Sequence, residues 1–199
     1  MSTLVGKPAP HFNIPAVMPD DSFANINLTD FLHKKYTLLF FYPLDFTFVC
    51  PTEIIAFNNR ISQFEALDTK ILGASIDSQY THLAWKSTPI NKGGIGDIQY
   101  PLISDINKTL AKDFGVLADD GVALRGTFLI DKTGIVRHES VNDLPIGRNV
   151  KEILRIIESL QHYESSGNVC PAGWQTDKES LAANKLSIAD YLTTNAENL

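Results

Sequence analysis

Five consecutive apolar residues, Leu38-Leu39-Phe40-Phe41-Tyr42, form the longest strongly apolar run in the chain and predict a strand over 37–42 buried on both faces. Pro43 stops it. Ile54, Phe57, Ile61 and Phe64 then recur at spacings of three and four, which lays an apolar stripe along a helix from about 48 to 67. Pro51 fits that helix only in its first turn, where a missing N–H has no partner to lose. The pattern continues as a strand over 70–76, a helix over 80–86 carrying Leu83 and Trp85, and a glycine-rich loop over 91–96. A short strand over 100–103 follows, then a helix over 106–114 ended by Gly115. Past a turn at Asp119-Asp120-Gly121, strands over 126–130 and 135–141 flank Asp131-Lys132-Thr133-Gly134 as a hairpin. Val150, Ile153, Leu154, Ile157 and Leu160 make the strongest helical stripe. Residues 1–36, with Pro8, Pro10, Pro15 and Pro19, read as irregular structure with short strands, and beyond Tyr163 the apolar density falls.

Strands alternating with helices and closing on a hairpin and a helix specify an α/β fold, a mixed central sheet flanked by helices. The change after Tyr163 divides the chain into a domain over 1–163 and a C-terminal arm over 164–199. A mass of 22.0 kDa accommodates one such domain with an arm and would cramp two. Seventeen basic against 23 acidic residues, a net charge of −6, exclude a binder of phosphate backbones. The apolar run is too short to span a bilayer, and the N-terminus lacks a basic segment followed by an apolar one. Two cysteines make no secreted disulfide framework, so a cytoplasmic location is expected. The histidines (His11, His33, His82, His138, His162) show no metal spacing, and neither metal nor cofactor is expected. No Walker lysine follows Gly93, Gly94 and Gly96, which excludes a nucleotide cradle there.

The two cysteines share a phrase, Val49-Cys50-Pro51 and Val169-Cys170-Pro171, in opposite settings. Cys50 stands where a strand hands over to a helix; Cys170 stands in the polar tail. A thiol of ordinary pKa is only about 3% thiolate at neutral pH, and a helix start favours the ionised form. The bland alternative for Cys50 is a small buried hydrophobe. Thr47, three residues earlier, can donate to one group while accepting from another, as a peroxide held in line with sulfur requires; it can equally cap the helix. Arg125 opens a buried-looking strand, where a guanidinium is costly unless paired. It therefore meets Glu53 or faces a polar pocket, unless it makes a plain surface ion pair. Position 53 holds Glu53, so the Cys-x-x-Cys of protein thiol–disulfide oxidoreductases is absent, and no local histidine signature supports a cysteine hydrolase.

The segment Pro43-Leu44-Asp45-Phe46-Thr47-Phe48-Val49-Cys50-Pro51-Thr52-Glu53, with Arg125-Gly126-Thr127-Phe128 and Val169-Cys170-Pro171-Ala172-Gly173-Trp174, closely resembles the typical two-cysteine peroxiredoxins, which include the peroxidase component of bacterial alkyl hydroperoxide reductase. The resemblance runs from Gly6-Lys7-Pro8-Ala9-Pro10 to the tail at Tyr191. It implies a thioredoxin-like fold and reduction of hydrogen peroxide and organic hydroperoxides through a sulfenic acid on Cys50. It further implies that Thr47 and Arg125 hold the peroxide, that Pro43 shields the sulfenate, and that Glu53 and Arg148 support the arginine. Cys170 is implied as the resolving cysteine, supplied by the partner in an antiparallel homodimer within a ring of dimers, a decamer. Thioredoxin or a flavoprotein disulfide reductase is the implied electron donor. Gly93-Gly94-Ile95-Gly96 resembles the Gly-Gly-Leu-Gly loop of overoxidation-sensitive members, whereas their tail Tyr-Phe reads Tyr191-Leu192, on a helix ending nearby; intermediate sensitivity is expected. A holdase activity of the overoxidised ring is the second function the resemblance implies, alongside the peroxidase.

Overall fold

A computed structural model describes residues 3–199; Met1 and Ser2, on which the reading of the N-terminus begins, lie outside the described residues. The chain forms two compact units, Met1–Val150 and Lys151–Leu199. The first unit ends where the last long helix begins, at Val150, whereas the sequence pattern draws its boundary inside that helix, at Tyr163.

Among the described residues, seven strands make one mixed sheet in the order β2-β1-β5-β4-β3-β6-β7. They are β1 (Asn13–Val17), β2 (Phe23–Asn27), β3 (Tyr36–Phe41), β4 (Thr69–Ser75), β5 (Leu102–Ser104), β6 (Arg125–Ile130) and β7 (Val136–Asn142). The apolar run becomes β3, every residue of which is buried, parallel to β4 on one side and antiparallel to β6 on the other. A strand enclosed on both faces and both edges tolerates no polar alternation, which is why its pattern is continuous. The predicted hairpin is β6–β7, turned by Asp131, whose Oδ1 accepts from the backbone N–H groups of Thr133 and Ile135.

The helix expected over 48–67 is two: α1 (Cys50–Asn58) and α2 (Ile61–Ala66). The ladder breaks at Arg60, whose φ of −121° is not helical. Just before it, Asn58 is drawn sideways, donating to Asp97 O and accepting from Gln99 N. α3 (Gln79–Ser87) is capped by Ser78 and buries His82, Trp85 and Lys86, while Leu83 is only half-buried. The helix expected over 106–114 shrinks to α4 (Thr109–Asp113), because Lys108 takes a left-handed φ of 60° and Asp105 holds the N–H groups of Leu110 and Ala111.

In the second unit, α5 (Val150–Ser166) carries the strong stripe, with Ile153, Leu154 and Ile157 buried. Trp174 is buried too; its indole donates to Lys178 O, its carbonyl accepts from Arg155, and its ring lies 4.7 Å from that of His162. α6 (Lys185–Asn195) is capped by Asn184 and buries no residue.

Candidate active site

The spacing of α1 explains how its chemistry is positioned. Cys50, Glu53, Ile54 and Phe57 lie at i, i+3, i+4 and i+7, so one face carries both the sulfur and the carboxylate into the protein. Ile54 and Phe57 are fully buried, and Phe57 stacks on Phe40 of β3 with centroids 4.4 Å apart. Tyr100 donates to Ile54 O at 2.8 Å. These contacts hold the helix start against the sheet. Pro51 sits in the first turn, as Pro must.

A carboxylate buried to 3% exposure survives only if its charge is met. Glu53 Oε2 accepts from Arg125 Nη1 at 2.7 Å and from Arg148 Nη2 at 2.8 Å; Oε1 accepts from the backbone and Nε of Arg148, both at 2.9 Å. Both guanidiniums are themselves almost completely buried. Arg148 lies 4.9 Å over the ring of Phe40 and donates to Gly126 O. Arg125 spends its Nε on Leu144 O at 2.7 Å, and its Nη1 also reaches Cys50 Sγ at 3.4 Å. One carboxylate thus fixes two cations, and one of these is aimed at a fully buried sulfur.

Glu53→Gln leaves two buried guanidiniums facing each other across a neutral amide. Breaking a buried ion pair from one side costs about 3–5 kcal/mol, so we expect the urea midpoint to fall sharply. An unchanged midpoint would show that the carboxylate is not what holds the cluster.

Residues 5–139 match the AhpC/TSA family, and residues 159–194 match the C-terminal domain of 1-Cys peroxiredoxin. The chain belongs to the AhpC/TSA family of peroxiredoxins. It is 50% identical over 189 residues to a chloroplastic 2-Cys peroxiredoxin of Hordeum vulgare, covering 94% of this chain and 90% of that one. It is 47% identical over 197 residues to alkyl hydroperoxide reductase C of Helicobacter pylori, covering 98% and 100%. The crystal structure of reduced 2-Cys peroxiredoxin from Plasmodium vivax superimposes with a TM-score of 0.95 at 55% identity, covering 97% of this chain and 100% of that one. The sheet and its helices are therefore the thioredoxin-like peroxiredoxin fold, and the enzyme is a thiol-dependent peroxidase.

Of the residues read from the sequence of this peroxiredoxin, Cys50, Glu53, Arg125 and Arg148 form one connected cluster. Arg125 is buried and meets Glu53, so the surface ion pair is excluded. Thr47 is half-buried and does not cap α1: the cap position is Val49, without a side-chain bond, and the Thr47 hydroxyl donates to Leu44 O at 2.9 Å. Its lone pairs stay available to an incoming O–H. Pro43 is buried at the end of β3.

Cys170 lies in the second unit with its thiol donating to Ser159 O at 3.6 Å. Burial pushes that thiol up, partly offset by the Arg155 guanidinium, and both cysteines are free thiols. Gly93 and Gly96 have positive φ; Gly94 is required, since a Cβ there would fall 1.8 Å from Thr88 O. Tyr191 and Leu192 belong to α6, which runs to Asn195. Among the described residues, no group of His, Cys, Asp or Glu is placed to hold a metal ion, and no helix is long and apolar enough to cross a membrane.

The sequence reading missed a buried polar chain beside this cluster. Asp45, between Pro43 and Cys50, accepts from Tyr42 OH at 2.9 Å and lies 2.7 Å from His82 Nδ1. Burial raises the Asp45 carboxyl, and the contact with His82 only partly counters it. The available signal was His82 itself, which shares a helical face with Trp85 and Lys86.

Proposed function

We propose that Cys50 is the peroxidatic cysteine and that Cys170 of the partner subunit resolves it. The observation that carries this reading is the N–H of Arg125 directed at Cys50 Sγ from within the Glu53 cluster. Cys170 turns its thiol to a backbone carbonyl instead. The Cys50 thiolate attacks the terminal peroxide oxygen; an S–O bond forms as the O–O bond breaks, and the departing oxygen takes a proton to leave as water or alcohol. Arg125 and Thr47 orient the peroxide for in-line attack and meet charge on the leaving oxygen, Glu53 and Arg148 hold Arg125 in place, and Pro43 keeps water from the sulfenic acid. The partner's Cys170 then displaces water from that sulfenic acid and leaves a disulfide, which thioredoxin or a flavoprotein disulfide reductase returns to two thiols.

The antiparallel homodimer is supported by β7, which lies at the edge of the sheet and leaves Val141 48% exposed, open to a second β7 in an isologous pair. Rings of such dimers, decamers, complete the assembly. The arm over 164–199 is the part that delivers Cys170, and a reducing cytoplasm is the compartment in which both thiols are free between turnovers.

Oxidised protein is expected to run as a covalent dimer on a non-reducing gel and as monomer after reduction. Tryptic mapping should join the Cys50 peptide to the Cys170 peptide. Monomeric migration of fully oxidised protein would instead mean an intrachain bridge. Gly93, Gly94, Gly96, Tyr191 and Leu192 are assigned to overoxidation control on the resemblance alone. Its readout is the Cys50 sulfinate yield across a peroxide titration, expected to rise in Leu192→Phe; an equal yield would remove Leu192 from the set.

A further inference from the structure

The segment 43–49 that carries Thr47 into Cys50 is not a free loop. Asp45, 7% exposed, reaches back to Tyr42 at the end of β3 and across to His82 on α3, both fully buried. His82 Nε2 lies 3.1 Å from Ile103 O, and a carbonyl only accepts, so Nε2 carries a proton. Tyr42 donates to Asp45 Oδ1, which leaves the 2.7 Å contact between Asp45 Oδ2 and His82 Nδ1 to hold one shared proton. The Asp45 backbone N–H donates to Asp77 Oδ2, itself held by Ser75 Oγ at the end of β4. One turn along α3 from His82, Trp85 packs against Phe46, whose φ of +55° is left-handed, with centroids 5.7 Å apart. The same Trp85 donates its indole N–H to Gly93 O at 2.7 Å. α3 therefore grips the active-site segment through His82 and Trp85, and Trp85 also holds the glycine-rich loop.

We propose that Asp45 and His82 are positioning residues that latch the 43–49 segment to α3 and set how often the Cys50 helix start opens. The proposal rests on the reading of Cys50 as peroxidatic, since a latched segment keeps Thr47 and Arg125 around the sulfur for attack. A released segment frees the sulfenic acid for a second thiol. Asp45, His82 and Tyr42 bond to one another while the donor to the sulfur is Arg125, so the effect runs through the segment. A buried hydrogen bond costs more to leave unmade than it contributes when made, so losing this one without a replacement frees both ends at once.

The test reads opening without peroxide. In a Cys170→Ser background, Cys50 Sγ is the sole thiol and fully buried, so a bulky fluorescent maleimide labels it only when the segment opens. His82→Phe, of similar shape but unable to bond, is expected to label roughly tenfold faster or more. Asp45→Asn should label at the parent rate, because its amide can donate to the unprotonated Nδ1 of a neutral His82 while its carbonyl still accepts from Tyr42. Tyr42→Phe, losing one bond of the latch, should fall between them and carries the test if His82→Phe does not fold. Leu110→Ala, a cavity in the core on α4, should lower thermal stability without faster labelling. Parent rates in His82→Phe and Tyr42→Phe would overturn the latch, as would equal acceleration in Asp45→Asn or in Leu110→Ala. With Cys170 restored, His82→Phe should yield less Cys50 sulfinate per turnover, and an unchanged yield would equally overturn it. Failure of the peroxidatic reading shows separately, as absence of any sulfinate on Cys50 in the parent.

Discussion

Cys50→Ser is expected to bring peroxide consumption down to the uncatalysed rate, whereas Cys170→Ser consumes one equivalent per chain and stops. The difference follows from where each sulfur sits. A serine at position 50 keeps the start of α1 and the Arg125 contact but supplies no thiolate, and a hydroxyl of ordinary pKa does not attack peroxide at neutral pH. Loss of the Cys170 thiol, in a unit of its own with its S–H on Ser159 O, leaves the first step intact and removes only the thiol that clears the sulfenic acid. Peroxide loss followed with a thioredoxin system present separates the two variants in one experiment. Turnover by Cys50→Ser equal to that of the parent would end the assignment.

Arg125→Ala is expected to slow the reaction of Cys50 with peroxide by about 10²–10³-fold, the usual cost of removing a donor aimed at developing charge. The fold should survive, because Glu53 keeps three bonds to Arg148 when Arg125 is gone. Alkylation of Cys50 by iodoacetamide is the comparison that matters. A guanidinium that only favours the thiolate affects both reactions alike; one that also holds peroxide oxygens affects peroxide far more. Equal factors in the two reactions would reduce Arg125 to a charge beside the sulfur. Arg125→Lys should not rescue, since a single ammonium cannot reach Leu144 O, Glu53 and the site together.

How much of this was legible in the chain depended on whether a residue's partners were local. β3 announced itself because a strand enclosed on every side shows no polar alternation. The division of the next helix at Arg60 did not, because no Pro or Gly marks it, and Asn58 at the end of the first piece bonds to Asp97 and Gln99, some forty residues away. The late start of α4 likewise rests on a left-handed lysine and an aspartate reaching forward past it. α6 buries nothing, so it left no stripe to read. At the active site, the local spacing from Thr47 to Glu53 was visible, and the buried-looking strand made Glu53, 72 positions away, one of the alternatives for Arg125; the part of Arg148, 95 positions from Glu53, came from resemblance rather than pattern. The pairing of Asp45 with His82 was hidden for the same reason, since 37 positions separate two residues that stand 2.7 Å apart.

The account stands on Cys50 as the atom that takes oxygen from peroxide. Its most direct test is peptide mass analysis of the Cys170→Ser protein after one equivalent of hydrogen peroxide, with a sulfenic-acid trap present. The account predicts trapped sulfenic acid on the Cys50 peptide, nearly stoichiometric with peroxide consumed, and a strong decrease at the same reaction time when Arg125 is replaced by alanine. Peroxide consumed with the Cys50 peptide unmodified would contradict it.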